Sequence, residues 1–282
     1  MRSSETALIN GSEAVSVDLT DRGFQYGDGV FTTLRIAGRR PLLLPLHLDR
    51  LASDAERLRI PFPGNTVLAA ESKLLAEANG DGVLKIMLTR GSGGRGYRIP
   101  AEAHATRVLR WHALPDYPED AAVLGIRARF CSATLGINPA LAGIKHLNRL
   151  EQVLARMEWD EEDIREGLLC DSEGFVVEGV MSNLFLRMGG RLLTPKLDRC
   201  GVRGVMRTHV LRLAAAEGLI VDEGRFRPES ILAADELFLT NSVIGLWPIR
   251  ELDGRAFAVG RLTRWMAARI ADTLLEEATC PA

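Results

Sequence analysis

Five short patches place lysine, arginine, glutamate, asparagine or clustered glycine where an apolar run ends, and each has a definite chemistry open to it. In Gly143-Ile-Lys145-His-Leu-Asn148 the lysine is flanked by Ile144 and Leu147 and follows a turn containing Pro139. Apolar surroundings lower a lysine pKa from about 10.4 and make the amine usable as a nucleophile or base. The plain alternative is a lysine on a helix surface. In Val176-Val177-Glu178 a carboxylate interrupts an apolar run, and an unpaired buried carboxylate is costly, so it needs a partner, a site or water. Cys200-Gly201-Val202-Arg203-Gly204 opens a helix, where free backbone N–H groups and the helix dipole favour an anion, although many such glycines are ordinary turns. Thr240-Asn241-Ser242 ends a strand and is either a second donor cluster for a phosphate or an Asx-type turn. Finally, Arg90-Gly-Ser-Gly-Gly-Arg95-Gly96-Tyr97 sets two arginines in a glycine-rich loop, able to fork onto a carboxylate, to touch RNA, or simply to be solvated.

The elements that must position these patches read as a mixed α/β (α+β) chain. Ala7-Leu8-Ile9 meets Asn10-Gly11, a hairpin signal, and Ala14–Val17 is predicted to return as a strand. Phe31–Ile36, Pro41–Leu44, Val83–Leu88 and Thr106–His112 also read as strands. Leu48, Leu51, Ala55 and Leu58 predict a helix over His47–Leu58, and a second follows over Thr66–Glu77. Residues 113–123 carry two prolines and three acids among few bulky apolar side chains, the composition of a linker. The expected division is therefore a small N-terminal α/β domain over 1–115, a linker at 116–123 and a large C-terminal domain over 124–282. In the latter, Leu147, Leu150, Val153, Leu154 and Met157 predict a helix beginning near Lys145. Gly167–Cys170 and Phe175–Glu178 form a hairpin, Val205–Ala216 and Thr263–Glu277 are helices, and Glu236–Thr240 is a strand.

Composition removes several function classes. At 282 residues the chain is long enough for about two domains. Its 35 Lys+Arg against 37 Asp+Glu leave a net charge of −2, without the basic excess of a dedicated nucleic-acid binder. The cysteines at 131, 170, 200 and 280 are far apart, with no CxxC pair, which argues against a metal site and for free thiols in a reducing cytoplasm. Met1–Asn10 lacks the apolar core of a signal peptide, and no apolar run reaches the ~18 residues that span a bilayer. The expectation is a cytoplasmic enzyme with a small-molecule substrate and neither nucleic-acid nor membrane partner.

A candidate reactive lysine, an isolated acid, two anion sites and a carboxylate fork together match what a pyridoxal-phosphate enzyme needs. The sequence resembles the class IV (fold type IV) pyridoxal-phosphate-dependent aminotransferases, most closely the aminodeoxychorismate lyase members. The matching stretches are Asp21-Arg22-Gly-Phe-Gln25-Tyr26-Gly27-Asp28-Gly29-Val-Phe-Thr32-Thr33, His47-Leu-Asp-Arg50-Leu51 and Leu88–Tyr97, then Asn138–Gln152, Asp171–Glu178 and Asn183-Leu-Phe185. The resemblance implies a smaller N-terminal α/β domain, a larger C-terminal pseudo-barrel and a homodimer that shares residues between sites. It implies pyridoxal 5′-phosphate as cofactor, with Lys145 as the lysine that joins it and moves protons and Glu178 as the acid at its ring nitrogen. Arg50 looks like the phosphate-binding arginine, with the backbone amides of Val202 and Arg203, Asn241 and Ser242 completing the phosphate cup. Thr33, Arg35, Arg95 and Tyr97, next to Thr32, look like the substrate lining. The Gly-Val-Arg-Gly loop departs from the family in carrying a larger side chain after Val202. The implied reaction converts 4-amino-4-deoxychorismate to 4-aminobenzoate and pyruvate. The alternatives are an aminotransferase acting on D- or branched-chain amino acids and, remotely, an RNA-binding module built on the Gly/Arg loop.

Overall fold

The computed structural model describes residues 6–279; the first five residues, and Cys280 with the two after it, lie outside the described residues. The chain forms two compact units, one of residues 1–115 with 145–148 and 274–282, the other of 116–144 with 149–273.

The first unit contains β1 (Ala7–Ile9), β2 (Ser12–Glu13), α1 (Arg22–Tyr26), β3 (Gly29–Ala37), β4 (Arg40–Pro41), α2 (Leu44–Arg57), α3 (Asn65–Asn79), β5 (Gly82–Thr89) and β6 (Thr106–His112). The strands form an antiparallel sheet in the order β2-β1-β6-β5-β3-β4. Because side chains alternate across a strand, β3 sorts its residues onto two faces. Val30, Thr32, Leu34 and Ile36 are buried on one, paired with Leu88, Ile86, Leu84 and Gly82 of β5, while α2 and α3 bury Leu48, Leu51, Leu68 and Leu75. Each such side chain contributes roughly 1.5–3 kcal/mol on burial. The other face carries Phe31, Thr33 and Arg35, in register with Met87, Lys85 and Val83 of β5 and then with Val108, Arg110 and His112 of β6.

Two predicted strands are shorter than their composition suggests. Asn10 and Gly11 both take positive φ, which brings the chain straight back, so pairing occurs at Ser12–Glu13 and not over Ala14–Val17, where Val15 is 96% exposed. Pro41 pairs on an edge strand, and α2 begins three residues later.

The second unit contains α4 (Ala121–Leu124), β7 (Ile126–Leu135), α5 (Leu150–Arg156), β8 (Ile164–Asp171), β9 (Val176–Gly179), β10 (Asn183–Met188), β11 (Arg191–Pro195) and α6 (Val205–Ala216). Then come β12 (Val221–Gly224), α7 (Pro228–Leu232), β13 (Glu236–Asn241), β14 (Gly245–Leu252), β15 (Arg255–Ala256) and α8 (Arg261–Thr279), whose last turns belong to the first unit. The curled sheet runs β12-β11-β10-β13-β14-β7-β8-β9, with β15 on β14. Its core gathers Ala128, Leu168, Leu184, Leu186, Leu239 and Ile249, and the register pair Phe185 and Phe238 stacks at 5.0 Å between centroids. The two sheets with their helices are the mixed α/β fold expected from the sequence.

The helix predicted to begin near Lys145 begins instead at Leu150. Residues 145–148 are extended, because their backbone hydrogen bonds go to the start of β3: Phe31 N–H donates to the Lys145 carbonyl and Leu147 N–H to the Gly29 carbonyl, both at 2.9 Å. The apolar period that suggested a longer helix is real, but on α5 it faces outward, with Leu150, Val153, Leu154 and Met157 each at least 52% exposed. No helix among the described residues is long and apolar enough to cross a membrane, and none of their His, Cys, Asp and Glu side chains cluster as a metal site would require.

Candidate active site

In the first unit the site is built around Lys145. Its backbone N–H donates to Oδ2 of Asp54 on α2 at 3.0 Å, and its carbonyl accepts from Phe31 on β3, so a helix and a strand fix the peptide from both sides. The half-buried Lys145 side chain places Nζ 4.6 Å from the centre of the Phe31 ring. Burial raises the Asp54 carboxyl pKa, and the Lys145 amide and the Arg50, Arg57 and Lys145 charges pull it back only in part.

His47, Arg50 and Asp54 sit at spacings of three and four along α2, hence on one face. That face meets Thr32, the polar residue on the buried side of β3. Arg50 Nη2 donates to Thr32 Oγ1 at 2.6 Å, and Thr32 Oγ1 lies 2.6 Å from His47 Nδ1. His47 is fully buried, and its Nε2 has no hydrogen-bond partner among the described residues. Burial, then the Arg50 and Lys145 charges, push the His47 pKa well below 6.5, so the ring is neutral at pH 7. Burial pulls the Arg50 guanidinium down to about 10, against the Asp54 carboxylate, and leaves it charged at neutral pH.

The glycine-rich loop separates its two arginines. Arg90 is buried and bonds Asp28 with two nitrogens at 2.8 and 2.9 Å, while its Nη1 and Nη2 hold the carbonyls of Arg59 and Leu58. Burial opposes ionisation of Asp28, yet the hydrogen bonds and charges of Arg90 and Arg22 hold its carboxyl below the usual range. Arg90 is therefore not half of a carboxylate fork; it anchors the loop. Arg95 and Tyr97 are exposed, and Tyr97 packs edge-on against Tyr26 at 5.5 Å. Neither is brought to Lys145 among the described contacts.

In the second unit Glu178 lies buried on β9. Its Oε2 accepts the Val202 N–H at 2.8 Å and Asn183 Nδ2 at 3.3 Å. Asn183, at the start of β10, ties the same carboxylate to the 201–204 turn: Nδ2 also donates to the Val202 carbonyl at 2.9 Å, and Oδ1 accepts the Gly204 N–H at 3.1 Å. A side chain at Gly204 would meet that amide oxygen at 2.1 Å, so the turn needs glycine there. Behind Glu178, the buried Glu166 accepts from the Ser182 hydroxyl and from the amides of Gly167, Val180 and Met181, fixing the loop that joins β9 to β10.

This arrangement corrects the expected phosphate cup. The Val202 amide is bound to Glu178, the Arg203 amide donates to the Gly143 carbonyl at 3.0 Å, and the Arg203 side chain is exposed. Asn241 is the Asx-type turn: its Oδ1 accepts from the amides of Val243 and Ile244, and its Nδ2 donates to Met181. The donors left for an anion are the first-turn amides of α6, which has no side-chain cap, with the half-buried Ser242 nearby in sequence to Thr240, whose buried Oγ1 has no partner among the described residues. Sequence reasoning missed His47, Asp54, Asn183 and Glu166 as site-building residues. The helical spacing of His47, Arg50 and Asp54 carried a usable signal; the tertiary bonds of Asn183 and Glu166 had none.

The chain belongs to the class IV amino-transferase family, whose sequence model matches residues 29–252. Within that family it is similar to the crystal structure of 4-amino-4-deoxychorismate lyase from Pseudomonas aeruginosa, with 44% identity, a TM-score of 0.91 and coverage of 94% of this chain and 98% of that one. It is 35% identical over 263 residues to aminodeoxychorismate lyase of Vibrio harveyi, covering 91% of this chain and 96% of the relative. It is also 32% identical over 266 residues to a putative branched-chain-amino-acid aminotransferase of Methanocaldococcus jannaschii, covering 91% and 90%.

Proposed function

We propose that the protein is a pyridoxal-phosphate-dependent lyase that converts 4-amino-4-deoxychorismate to 4-aminobenzoate and pyruvate, acting as a cytoplasmic homodimer. The reading is carried by the 44% identity, over nearly the whole of both chains, to a lyase of known structure. The open sheet face supports it, because Thr33 and Arg35 beside Phe31 suit a polar ring substrate with carboxylates. A branched-chain substrate would need a mainly apolar pocket, since one methylene is worth only about 1–3 kcal/mol of discrimination and requires close packing. The outward apolar stripe of α5 supports the dimer.

The side chains available fit the cofactor chemically: an amine at Lys145, a guanidinium at Arg50, a buried carboxylate at Glu178, and at the first turn of α6 amides without a side-chain cap. When bound, pyridoxal 5′-phosphate supplies an electron sink for the carbon beside the substrate nitrogen. Lys145 would hold the cofactor covalently and, once released by the substrate amine, take the proton from that carbon. Glu178 would keep a proton on the ring nitrogen, its position fixed by Val202 and Asn183. Arg50 and the first-turn amides of α6, with Ser242, are assigned to the phosphate. Arg95 and Tyr97, exposed in one chain, are assigned to substrate contacts completed in the dimer.

The test is turnover without a 2-oxo acid. A lyase regenerates its starting state and forms many equivalents of 4-aminobenzoate per site. Product that stops at one equivalent until an oxo acid is added, or reaction only with leucine- or D-alanine-type amines, would overturn the lyase reading in favour of an aminotransferase.

A further inference from the structure

Two cations on the open face of the first unit's sheet have no anionic partner among the described residues. Arg35 on β3 is half-buried, and its Nε is buried without a hydrogen bond. Lys85 on β5 is half-buried too, and its Nζ lies 5.0 Å from the centre of the Phe31 ring, the ring that Lys145 Nζ faces at 4.6 Å. Thr33 pairs directly with Lys85, and Arg35 stands two residues further along β3, so Arg35 and Lys85 are diagonal neighbours on one face.

An ammonium over an aromatic face gains a modest attraction, but it loses hydration without gaining a counter-charge. Burial accordingly lowers the Lys85 pKa, and no carboxylate opposes the shift. The next residue in the register row is Arg110, another basic side chain, and His112 lies beyond, its pKa lowered by burial and by the Arg110 and Lys85 charges. Arg35 and Lys85 alone thus place two cations without a described counter-charge beside the lysine assigned to chemistry. What would balance them is an anion from solution, and Arg with Lys is a common pairing for a carboxylate.

We propose that Lys85, with Arg35, binds the ring carboxylate of the substrate, with Phe31 carrying the ring and Lys145 facing the amine end. A rigid six-membered ring holds its amine and carboxylate at opposite ends, which matches a surface offering one lysine, a phenyl ring and then two cations. The proposal rests on the lyase reading for the identity of the ring. It makes Lys85 a specificity residue that no aliphatic amino acid would need.

Calorimetric titration of the cofactor-loaded dimer with 4-aminobenzoate and with 4-aminobenzamide, which lacks the negative charge, tests it. Wild type is expected to prefer the acid, and Lys85→Met to weaken the acid by roughly ten- to hundredfold while leaving the amide nearly unchanged, as loss of a charged hydrogen bond predicts. Lys85→Arg, which keeps charge and fold, is expected to retain most of the preference. Equal binding of acid and amide by wild type, or a Lys85→Met or Arg35→Gln variant that keeps the preference, would overturn the proposal. So would equal weakening of both ligands. Acid-selective binding through Lys85 in a protein that forms no 4-aminobenzoate would overturn the lyase reading and leave the carboxylate site standing.

Discussion

The Thr32 hydroxyl oxygen lies 2.6 Å from Nδ1 of His47 and accepts from Nη2 of Arg50 at 2.6 Å, so one buried hydroxyl joins the imidazole to the guanidinium. Arg50, Thr32 and His47 thus hold the ring by its Nδ1 side, while burial and the Arg50 and Lys145 charges favour its neutral form.

Thr32→Val should break both bonds at nearly constant volume. It leaves Nδ1 of His47 buried without its hydrogen-bond partner, at a cost of about 1–3 kcal/mol. Urea unfolding should show a lower midpoint with an unchanged slope, and Thr32→Ser should recover most of the loss. A valine variant as stable as wild type would show that the two bonds contribute nothing.

The same histidine sets a pH dependence. Its folded pKa is depressed by burial and by the Arg50 and Lys145 charges. Below the unfolded value of about 6.5 the unfolded chain takes up a proton that the folded chain refuses, so stability is present above that pH and lost as pH falls below it. Unfolding midpoints between pH 7.5 and 5.5 should fall more steeply in wild type than in His47→Asn. Parallel slopes would assign the acid sensitivity to other groups.

Lys145→Ala should abolish turnover and the visible absorbance of lysine-bound cofactor. Borohydride reduction of the wild type followed by peptide mapping should mark Lys145. A label on Lys85 or Lys196 would move the assignment.

Glu178→Gln keeps the shape of the side chain and an acceptor for the Val202 amide, but removes the charge. A hydrogen bond to a charged group is worth about 1.5–3 kcal/mol, so proton removal should slow by roughly ten- to hundredfold with the cofactor still bound. Single-turnover rates separate this outcome from cofactor loss, and a wild-type rate would make Glu178 structural.

How much of this was legible in the sequence follows from the range of the interactions. Val205–Ala216 could be placed as a helix, with Gly218 taking positive φ just beyond it, because the apolar period and the terminating glycine are local signals. The extended 145–148 segment is not legible locally, because its conformation is set by bonds to β3, more than a hundred residues earlier, and no local preference reports them. The same holds for the site. Lys145 and Glu178 stand out by type and by resemblance and Arg50 by resemblance alone, whereas the Val202 and Arg203 amides read as phosphate donors because a glycine turn looks alike whether its N–H groups are open or engaged. Lys85 carries no local signal in the sequence; only the register of β3 with β5 sets it opposite Thr33 and diagonal to Phe31.

Asp54, which holds the Lys145 amide, rides on the same helix as Arg50, and this couples the two by angle as well as by distance. An α-helix advances about 100° per residue. A single residue inserted between Arg50 and Asp54 would leave α2 helical and its length almost unchanged, yet swing Asp54 a quarter-turn or more away from Lys145 while Arg50 kept its bond to Thr32. The guanidinium and the lysine backbone are in this sense geared to one shaft, and the four-residue interval between Arg50 and Asp54 is its timing.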